Sequence, residues 1–253
     1  LQIGDGKLLE DSDGKSVIPQ NLCSIVHDLK SLLSKTYPGI NNEESHNLTW
    51  LQERAILTPT NETASSINLS LLEQLPAKMS RYESVDSVVE VEDAVHYPVE
   101  FLQSLNPPGI PPHVLFLKVG APIMLLRNLN PPKLCNGTRL QVKVLHKHVI
   151  EATIFTGVGK GETVFIPRIP MIPSDHPIQF KRLQFPVKVC YAMTINKAQG
   201  QSLKMAGVDL RNDCFSHGQL YVACSRVSSP ESLVILQPEE KTKNVVYQEV
   251  LRK

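Results

Sequence analysis

Apolar positions near the start of the chain recur with helical spacing. Residues 25–33 carry one apolar face, and a second follows the polar opening at 60–63, with Ile67, Leu71, Leu72 and Leu75 on one side. A further helical start is expected near Glu43. Between the helices lies the short apolar run 54–58, which predicts a buried strand. A strand followed directly by a capped helix is typical of an α/β domain.

The middle of the chain has the pattern of short strands separated by turns. Proline-rich residues 107–112 come first, and a second proline-rich stretch begins at Pro167. Asn136-Gly137 and the glycines of 157–161 predict tight turns. The predicted strands are 113–119, 123–126, 138–144, 149–155 and 163–166. We therefore expect a small β-barrel inserted into the α/β domain.

After Pro186 the α/β pattern returns. Three apolar runs predict strands at 187–193, 206–210 and 232–236. Between them, 196–203 is predicted as a turn into a helix and 218–225 as a helix. The predicted fold class is α/β, with strand–helix alternation on both sides of a β-rich insertion.

Charge and cysteine content narrow the function classes. Lysine and arginine number 26 against 25 acidic residues, so any basic surface must be local. The stretch 82–100 holds six acidic residues and no lysine or arginine, which predicts a solvated connector. No apolar run approaches the roughly 20 residues of a membrane span, and residues 1–13 lack a signal core. Five scattered cysteines without metal-ligand spacing indicate reduced thiols inside the cell and no metal site.

Two stretches carry residues suited to binding phosphate. Thr194, Lys197, Gln199 and Gly200 follow a predicted strand and would place donors, a cation and a close backbone in one turn, although an ordinary polar turn has the same composition. Arg226 follows a helix of small and apolar residues. It is either a surface residue or a bidentate phosphate ligand.

Together these stretches resemble motifs five and six of the Pif-type helicases, superfamily-one enzymes that move 5′ to 3′ on DNA, and most closely the helicase part of Helitron transposon proteins. Residues 58–61 resemble motif four of the same family. Further matching segments are 117–128 and 134–138, which resemble the family's "KVGA…ML…N…NG" stretch, then Phe185-Pro186, 208–210, and Gly218-Gln219 before Tyr221. The match runs in order along nearly the whole chain.

The resemblance implies a domain plan and a role for each motif residue. Residues 1–76 and 184–253 would form a RecA-like domain 2A, 77–114 a connector, and 115–183 an inserted SH3-like domain 2B. Arg226 would be the arginine finger that reaches the γ-phosphate. The nucleotide-proximal residues would be Gln199, Gly200 and Tyr221. The residues implied to grip DNA are Thr58, Thr60, Asn61, Thr194, Asn196 and Lys197.

The sequence departs from the family pattern at two points. Asn196 stands where many relatives carry histidine, and the chain has no G-x-x-x-x-G-K-[ST] phosphate loop. Residues 157–161 have the wrong spacing for one and are predicted as a hairpin turn. The chain therefore resembles half of an ATPase: ATP and Mg²⁺ would be bound mainly by an N-terminal RecA-like domain that this sequence lacks.

The expected partners are that N-terminal domain and single-stranded DNA, with no membrane. We expect no ATP hydrolysis by the chain alone. The alternative is a transposon-derived remnant that binds single-stranded DNA or another protein without catalysis. An intracellular location is expected; the Helitron resemblance favours the nucleus, with the mitochondrion as the alternative.

Overall fold

The chain divides into two structural units. The computed structural model describes residues 2–19, 21–42, 47–90, 92, 95–174, 176–239 and 241–251, so the helical start expected near Glu43 lies outside the described residues. Unit 1 comprises Leu1–Gln74 and Tyr191–Lys253, and unit 2 comprises Leu75–Cys190. Within the described ranges, no helix has the length and apolar character needed to cross a membrane.

Helices and strands are numbered in chain order. The helices are α1 (Leu29–Thr36), α2 (Leu48–Gln52), α3 (Asn61–Gln74), α4 (Val99–Ser104), α5 (Gln219–Cys224) and α6 (Gln248–Leu251). The strands are β1 (Lys15–Ser16), β2 (Ser24–Val26), β3 (Arg54–Thr58), β4 (Ser80–Glu83), β5 (Val85–Val88), β6 (Val114–Leu117), β7 (Pro122–Leu125), β8 (Arg139–Leu145), β9 (Val149–Ile154), β10 (Thr163–Pro167), β11 (Ile169–Met171), β12 (Phe180–Gln184), β13 (Val187–Val189), β14 (Ala192–Thr194), β15 (Met205–Asp209), β16 (Leu233–Leu236) and β17 (Thr242–Lys243).

Unit 1 is built on a parallel sheet. Its strand order is β14-β3-β15-β16-β2, and every pair in it is parallel. All four residues of β16 are buried, as expected for a strand covered on both faces. At Gly207 in β15 an added Cβ would lie 2.5 Å from Thr36 Oγ1 of α1, so glycine permits close packing of this helix on the sheet. The predicted strand 54–58 and the helix after it are confirmed.

The first predicted helix is wrong at its start. Ile25 lies in β2, paired in parallel with Ile235 of β16, and α1 begins only at Leu29. The Asp28 carboxylate accepts a hydrogen bond from the Ser31 amide and caps the helix there. The apolar positions of β2 and α1 together continue one helical spacing, which is why the sequence predicted a single helix over 25–33.

The strand predicted over 187–193 is divided between two sheets. Strand β13 pairs antiparallel with β7 in unit 2, whereas β14 pairs parallel with β3 in unit 1. Only Cys190 and Tyr191 separate them, and the Cys190 amide donates to the Pro122 carbonyl. The mainly apolar run 187–193 carries no mark of such a change of partner, because both strands contain buried apolar residues.

Unit 2 is mainly antiparallel. A five-stranded sheet has the order β10-β9-β8-β7-β13, and a three-stranded sheet has the order β11-β12-β5. Strands β4 and β6 form a further antiparallel pair. The five strands predicted between 113 and 166 are confirmed to within two residues at most ends, and Gly137 has a positive φ at its predicted turn.

The expected connector 77–114 is not a separate solvated segment, because it contributes β4, β5, α4 and the start of β6 to unit 2. Asp86 from its acidic run is 4% exposed and accepts bidentate hydrogen bonds from Arg182 Nε and Nη2, at 3.0 and 2.7 Å. The same guanidinium donates to the Leu102, Leu105 and Pro111 carbonyls. The balancing cation is 96 residues away in sequence, so a local charge count missed it.

Candidate nucleic-acid interface

Two threonines of the predicted DNA-binding set end neighbouring strands of unit 1. Thr58 closes β3 and Thr194 closes β14, and their Cα atoms are register partners. The carboxyl ends of parallel strands meet at one edge of a sheet, where α/β proteins bind ligands. Thr58 is fully buried and its hydroxyl donates to the Thr60 carbonyl at 2.7 Å, so this side chain shapes the turn, while Thr194 is half-buried.

Thr60 and Asn61 lie at the amino end of α3. Thr60 Oγ1 is 2.9 Å from Thr63 Oγ1 and accepts from the Thr63 amide at 3.3 Å, which caps the helix. Asn61 is exposed. The dipole at the start of this 14-residue helix favours an anion, although Glu62 already places a carboxylate in the first turn. The turn therefore places hydroxyl and amide groups beside a phosphate-compatible helix end.

The segment after β14 contains both buried apolar residues and exposed polar residues. Ile195 and Ala198 are buried in a short 3₁₀ helix, Ile195–Ala198, while Asn196 and Lys197 are exposed. Gln199 is exposed beyond it, and Gly200 has φ +79°, a conformation that favours glycine. The predicted turn into a helix over 196–203 is thus only this short 3₁₀ helix, and the turn beyond it depends on Gly200.

Arg226 lies against that segment. Its Nη1 donates to the Ala198 and Gln201 carbonyls at 3.3 and 3.2 Å, and its Nε donates to the Val222 carbonyl of α5 at 2.8 Å. Nη2 donates to Ser225 Oγ at 2.8 Å. The two stretches that sequence analysis singled out are therefore in direct contact. The sequence left a choice between a surface residue and a phosphate ligand, and the structure adds backbone carbonyls as the acceptors.

Tyr221, the third nucleotide-proximal residue, lies on α5 and its side chain is partly open to solvent, with the residue 42% exposed. The amino-terminal segment covers one part of the ring: a Cβ built on Gly4 would lie 3.0 Å from Tyr221 Cδ2. The Tyr221 carbonyl accepts a hydrogen bond from the amide of Ser225, the residue before Arg226. Tyr221 and Arg226 are thus presented by one short helix and the turn after it.

Sequence reasoning missed polar contacts beside the threonines. Asp209 at the end of β15 is fully buried and accepts from Arg211 Nε and Nη2, at 3.0 and 2.7 Å. The hydrogen bond to Asp209 raises the pKa of Arg211. Asn212 Nδ2 donates to Thr63 Oγ1 at 2.9 Å, linking the β15 loop to the start of α3. Nothing in the sequence marks Asn212, although Asp209 falls in a segment matched to the family.

A buried amide holds the edge strand that ends in Thr194. Asn68 Nδ2 donates to the Ala192 carbonyl at 2.9 Å, and the Ala192 amide donates to Asn68 Oδ1 at 2.8 Å. Among the described strands, only β3 pairs with β14, so Asn68 occupies backbone groups that a second strand would otherwise use. The position of Thr194 depends on this pair of bonds.

No thiol or metal chemistry is visible in the described part of unit 1. Burial is the largest cause that raises the pKa of Cys214 and Cys224 to about 12 each, and of Cys23 to about 11. Across the described residues of both units, no three His, Cys, Asp or Glu side chains are grouped so as to hold a metal ion. The chemistry offered is that of hydrogen-bond donors and of cations that include Lys197 and Arg226.

Comparisons with known proteins agree on one family. Residues 100–145 match the family described as DNA helicase Pif1, 2B domain. The chain is 29% identical over 191 residues to ATP-dependent DNA helicase PIF6 of Trypanosoma brucei brucei, covering 72% of this chain and 23% of that protein. It is 30% identical over 169 residues to human ATP-dependent DNA helicase PIF1, covering 65% of this chain and 24% of that protein.

Solved structures of Pif1 helicases share the fold of this chain. The Pif1 helicase of Candida albicans matches with a TM-score of 0.60 at 22% identity, over 88% of this chain and 56% of that one. A Bacteroides Pif1 helicase in complex with ADP-AlF₃ and single-stranded DNA matches with a TM-score of 0.57 at 21% identity, over 87% and 50%. The chain thus has the α/β helicase fold of Pif1 proteins, and it spans about a quarter of the length of these curated relatives.

Proposed function

We propose that this chain supplies the second RecA-like domain of a 5′→3′ DNA helicase and works with an N-terminal RecA-like domain that carries the phosphate loop. In this proposal unit 1 is domain 2A, and the predicted SH3-like domain 2B lies within unit 2. The contact of Arg226 with the segment that follows Thr194 carries the proposal, because it joins a candidate nucleotide sensor to a candidate DNA grip. Such a protein would act inside the cell, with the nucleus favoured.

Single-stranded DNA would cross the carboxyl edge of the unit 1 sheet. Asn61, Asn196 and Lys197 are exposed and offer amide and ammonium donors to backbone phosphates. The start of α3, capped by Thr60, adds backbone amides. The Thr58 and Thr194 side chains would set the shape of this edge. Contacts of this kind read the backbone rather than the bases and are independent of sequence.

ATP would lie between this chain and its partner domain. A guanidinium that reaches the γ-phosphate stabilises transition-state charge, which is the role we assign to Arg226. Gln199, Gly200 and Tyr221 lie near it and would pass the nucleotide state to the DNA side. We assign ATP and Mg²⁺ mainly to the partner domain, as the resemblance implies, and derive no step from the metal.

The relatives support these assignments. The curated proteins similar to this chain are named ATP-dependent DNA helicases, and the Bacteroides Pif1 structure holds a nucleotide analogue and single-stranded DNA together. Activity, DNA and nucleotide are properties of those longer proteins. For this chain they form the proposal to be tested.

The deciding experiment is ATP hydrolysis stimulated by single-stranded DNA. The chain is assayed alone and mixed with a separately produced N-terminal motor domain from a Pif1 relative. We expect no turnover alone, turnover in the mixture, and a loss of about 10³-fold with Arg226→Ala, the lower bound for an arginine finger. Ser225→Ala is the matched control, because it removes one side-chain contact of Arg226 and keeps the guanidinium.

Two results would contradict the proposal. Turnover by the chain alone would mean that a phosphate loop exists in an unrecognised form. DNA binding without any turnover in the mixture would favour the alternative, a non-catalytic remnant that binds single-stranded DNA.

A further inference from the structure

Four of the five N–H groups of the Arg226 guanidinium have a hydrogen-bond acceptor within this unit. Of its five N–H groups, the one on Nε and the two on Nη1 face three carbonyls, those of Val222, Ala198 and Gln201. One N–H of Nη2 faces Ser225 Oγ. A single N–H is left over. The residue proposed to bind phosphate is thus held against the backbone of its own domain.

These carbonyls belong to the segment that carries the DNA donors. Ala198 ends the 3₁₀ helix that presents Asn196 and Lys197, and the Gln201 amide donates to the Ala198 carbonyl. The Leu203 amide donates back to the Arg226 carbonyl at 2.8 Å. Arg226 therefore ties both ends of residues 198–203 to the end of α5.

Phosphate binding competes with this arrangement. A bidentate contact needs two parallel N–H groups on one edge of the planar fork. Each edge with two nitrogens includes groups that now face Val222, Ala198, Gln201 or Ser225. Arg226 cannot take a phosphate in this way and keep all of its present acceptors.

We propose that Arg226 is a positioning residue for the DNA-contact segment as well as the finger. Without nucleotide it holds residues 195–203 through the Ala198 and Gln201 carbonyls, and on engaging a γ-phosphate it releases them. The nucleotide state then sets how firmly Asn196 and Lys197 are presented to DNA. This inference rests on the proposed function and adds the element that couples its two sites.

The first test uses hydrogen–deuterium exchange on the chain alone. We expect Arg226→Ala to speed exchange of the Gln199 and Gln201 amides about tenfold, because local opening then breaks fewer bonds. Arg226→Lys, with one ammonium, should fall between Arg226→Ala and the wild type. Ser225→Ala should match the wild type, since both carbonyl bonds remain. Unchanged exchange in Arg226→Ala would overturn the inference.

A DNA readout separates positioning from a general structural role. For an oligo-dT strand we expect Arg226→Ala to weaken binding about threefold to tenfold while the unfolding midpoint read from Trp50 fluorescence stays within error, because each weakened phosphate contact costs affinity locally. An equal loss in a variant of Lys204 would contradict the assignment, because Lys204 pairs with Glu53 just before β15, at the opposite edge of the sheet from Thr194.

The second test adds the partner domain and ADP with aluminium fluoride. In the wild-type mixture, exchange at Gln199 and Gln201 should rise to the rate of Arg226→Ala, and Arg226→Ala itself should show no further rise. If the mixture hydrolyses ATP but exchange does not rise, Arg226 keeps its bonds to the Ala198 and Gln201 carbonyls in the presence of nucleotide. The inference then fails, whereas the proposed function stands. If the mixture hydrolyses no ATP, both fail.

Discussion

The two units use their charged groups in opposite ways. Unit 1 holds thirteen lysines and arginines against sixteen acidic residues, and unit 2 holds thirteen against nine, so the net charge of +1 conceals an acidic unit and a basic one. The proposed DNA contacts nevertheless lie on the acidic unit. Binding there depends on a few placed donors rather than on a broad positive field.

One arginine from each unit makes the difference concrete. Arg182 in unit 2 is fully buried and held by the Asp86 carboxylate, whereas Arg226 in unit 1 is half-buried and, among the described residues, bonds only carbonyl and hydroxyl oxygens. A buried charge paired with a carboxylate is very costly to separate. Neutral acceptors bind a guanidinium less strongly, so they suit a side chain that has to exchange partners.

The largest effect is expected where Arg182 is removed. Arg182→Met leaves the buried Asp86 carboxylate without its cation, and we expect a loss of about 3–5 kcal/mol of unfolding free energy in unit 2. Exchange of the β12 amides measures this loss. Trp50, the single tryptophan, lies in unit 1 and its fluorescence should report a much smaller shift.

The double variant Arg182→Met with Asp86→Leu supplies the control. Replacing both charges with apolar groups removes the unpaired carboxylate, so much of the stability should return. A loss below about 1 kcal/mol in the single variant would show that this pair is no stronger than a surface ion pair, and the contrast between the two arginines would fail.

A smaller effect is expected from filling the helix–sheet contact of unit 1. In Gly207→Ala the new Cβ would lie 2.5 Å from Thr36 Oγ1 and 3.0 Å from Leu32 Cδ1, so α1 must move. Overpacking of this kind costs about 1–3 kcal/mol, read from urea unfolding followed by Trp50 fluorescence. Adding Thr36→Ala should restore part of the loss. No recovery would mean that the clash lies elsewhere.

Removal of one DNA donor should have a lesser effect. We expect Lys197→Gln to weaken oligo-dT binding about threefold and to reduce the magnitude of the negative slope of log affinity against log salt by about 0.7, as for the loss of one phosphate contact on a single strand. Titrations at several salt concentrations measure both quantities. Lys204→Gln, a more distant exposed lysine, should leave the slope unchanged. Equal effects of the two substitutions would indicate diffuse attraction rather than a placed contact.

The smallest effect is a difference in the alkylation rates of cysteines in the two units. Cys135 in unit 2 is partly exposed. Burial raises the pKa of the unit 1 thiols Cys214 and Cys224 to about 12, so these groups stay protonated at pH 8. The thiolate is the reactive form. Alkylation followed by peptide mass spectrometry should modify Cys135 before Cys214, and faster labelling of Cys214 would contradict its buried position in unit 1.

The fold was predictable where one hydrophobic pattern corresponded to a single strand or helix. The run 54–58 and the face containing Ile67 and Leu71 matched a strand and a helix, because periodicity and burial agreed there. The single strand predicted over 187–193 was wrong, because an apolar run carries no information on which sheet it joins. Strands β5 and β12 were missed because charged and proline residues surround them, and the Asp86–Arg182 pair that stabilises them joins positions far apart in sequence.

The candidate site was predictable as a set of residues rather than as a geometry. The types and spacing of Thr194, Lys197 and Arg226 were enough to indicate phosphate chemistry, but the acceptors of Arg226 are main-chain oxygens, which every residue has. Asn212 is one polar loop residue among many, and only the approach of its loop to α3 gives it a partner. These roles are set by tertiary contacts.

The insertion between β3 and its sheet partners has a consequence for synthesis of the chain. Both neighbours of β3, namely β14 and β15, begin more than 130 residues after it, while unit 2 is one continuous segment. A nascent chain can complete unit 2 while β3 is still an unpaired apolar strand. Closing so long a loop delays the parallel sheet and leaves an aggregation-prone edge in the meantime. The order of emergence from the ribosome therefore makes the unit with the proposed site the last to form.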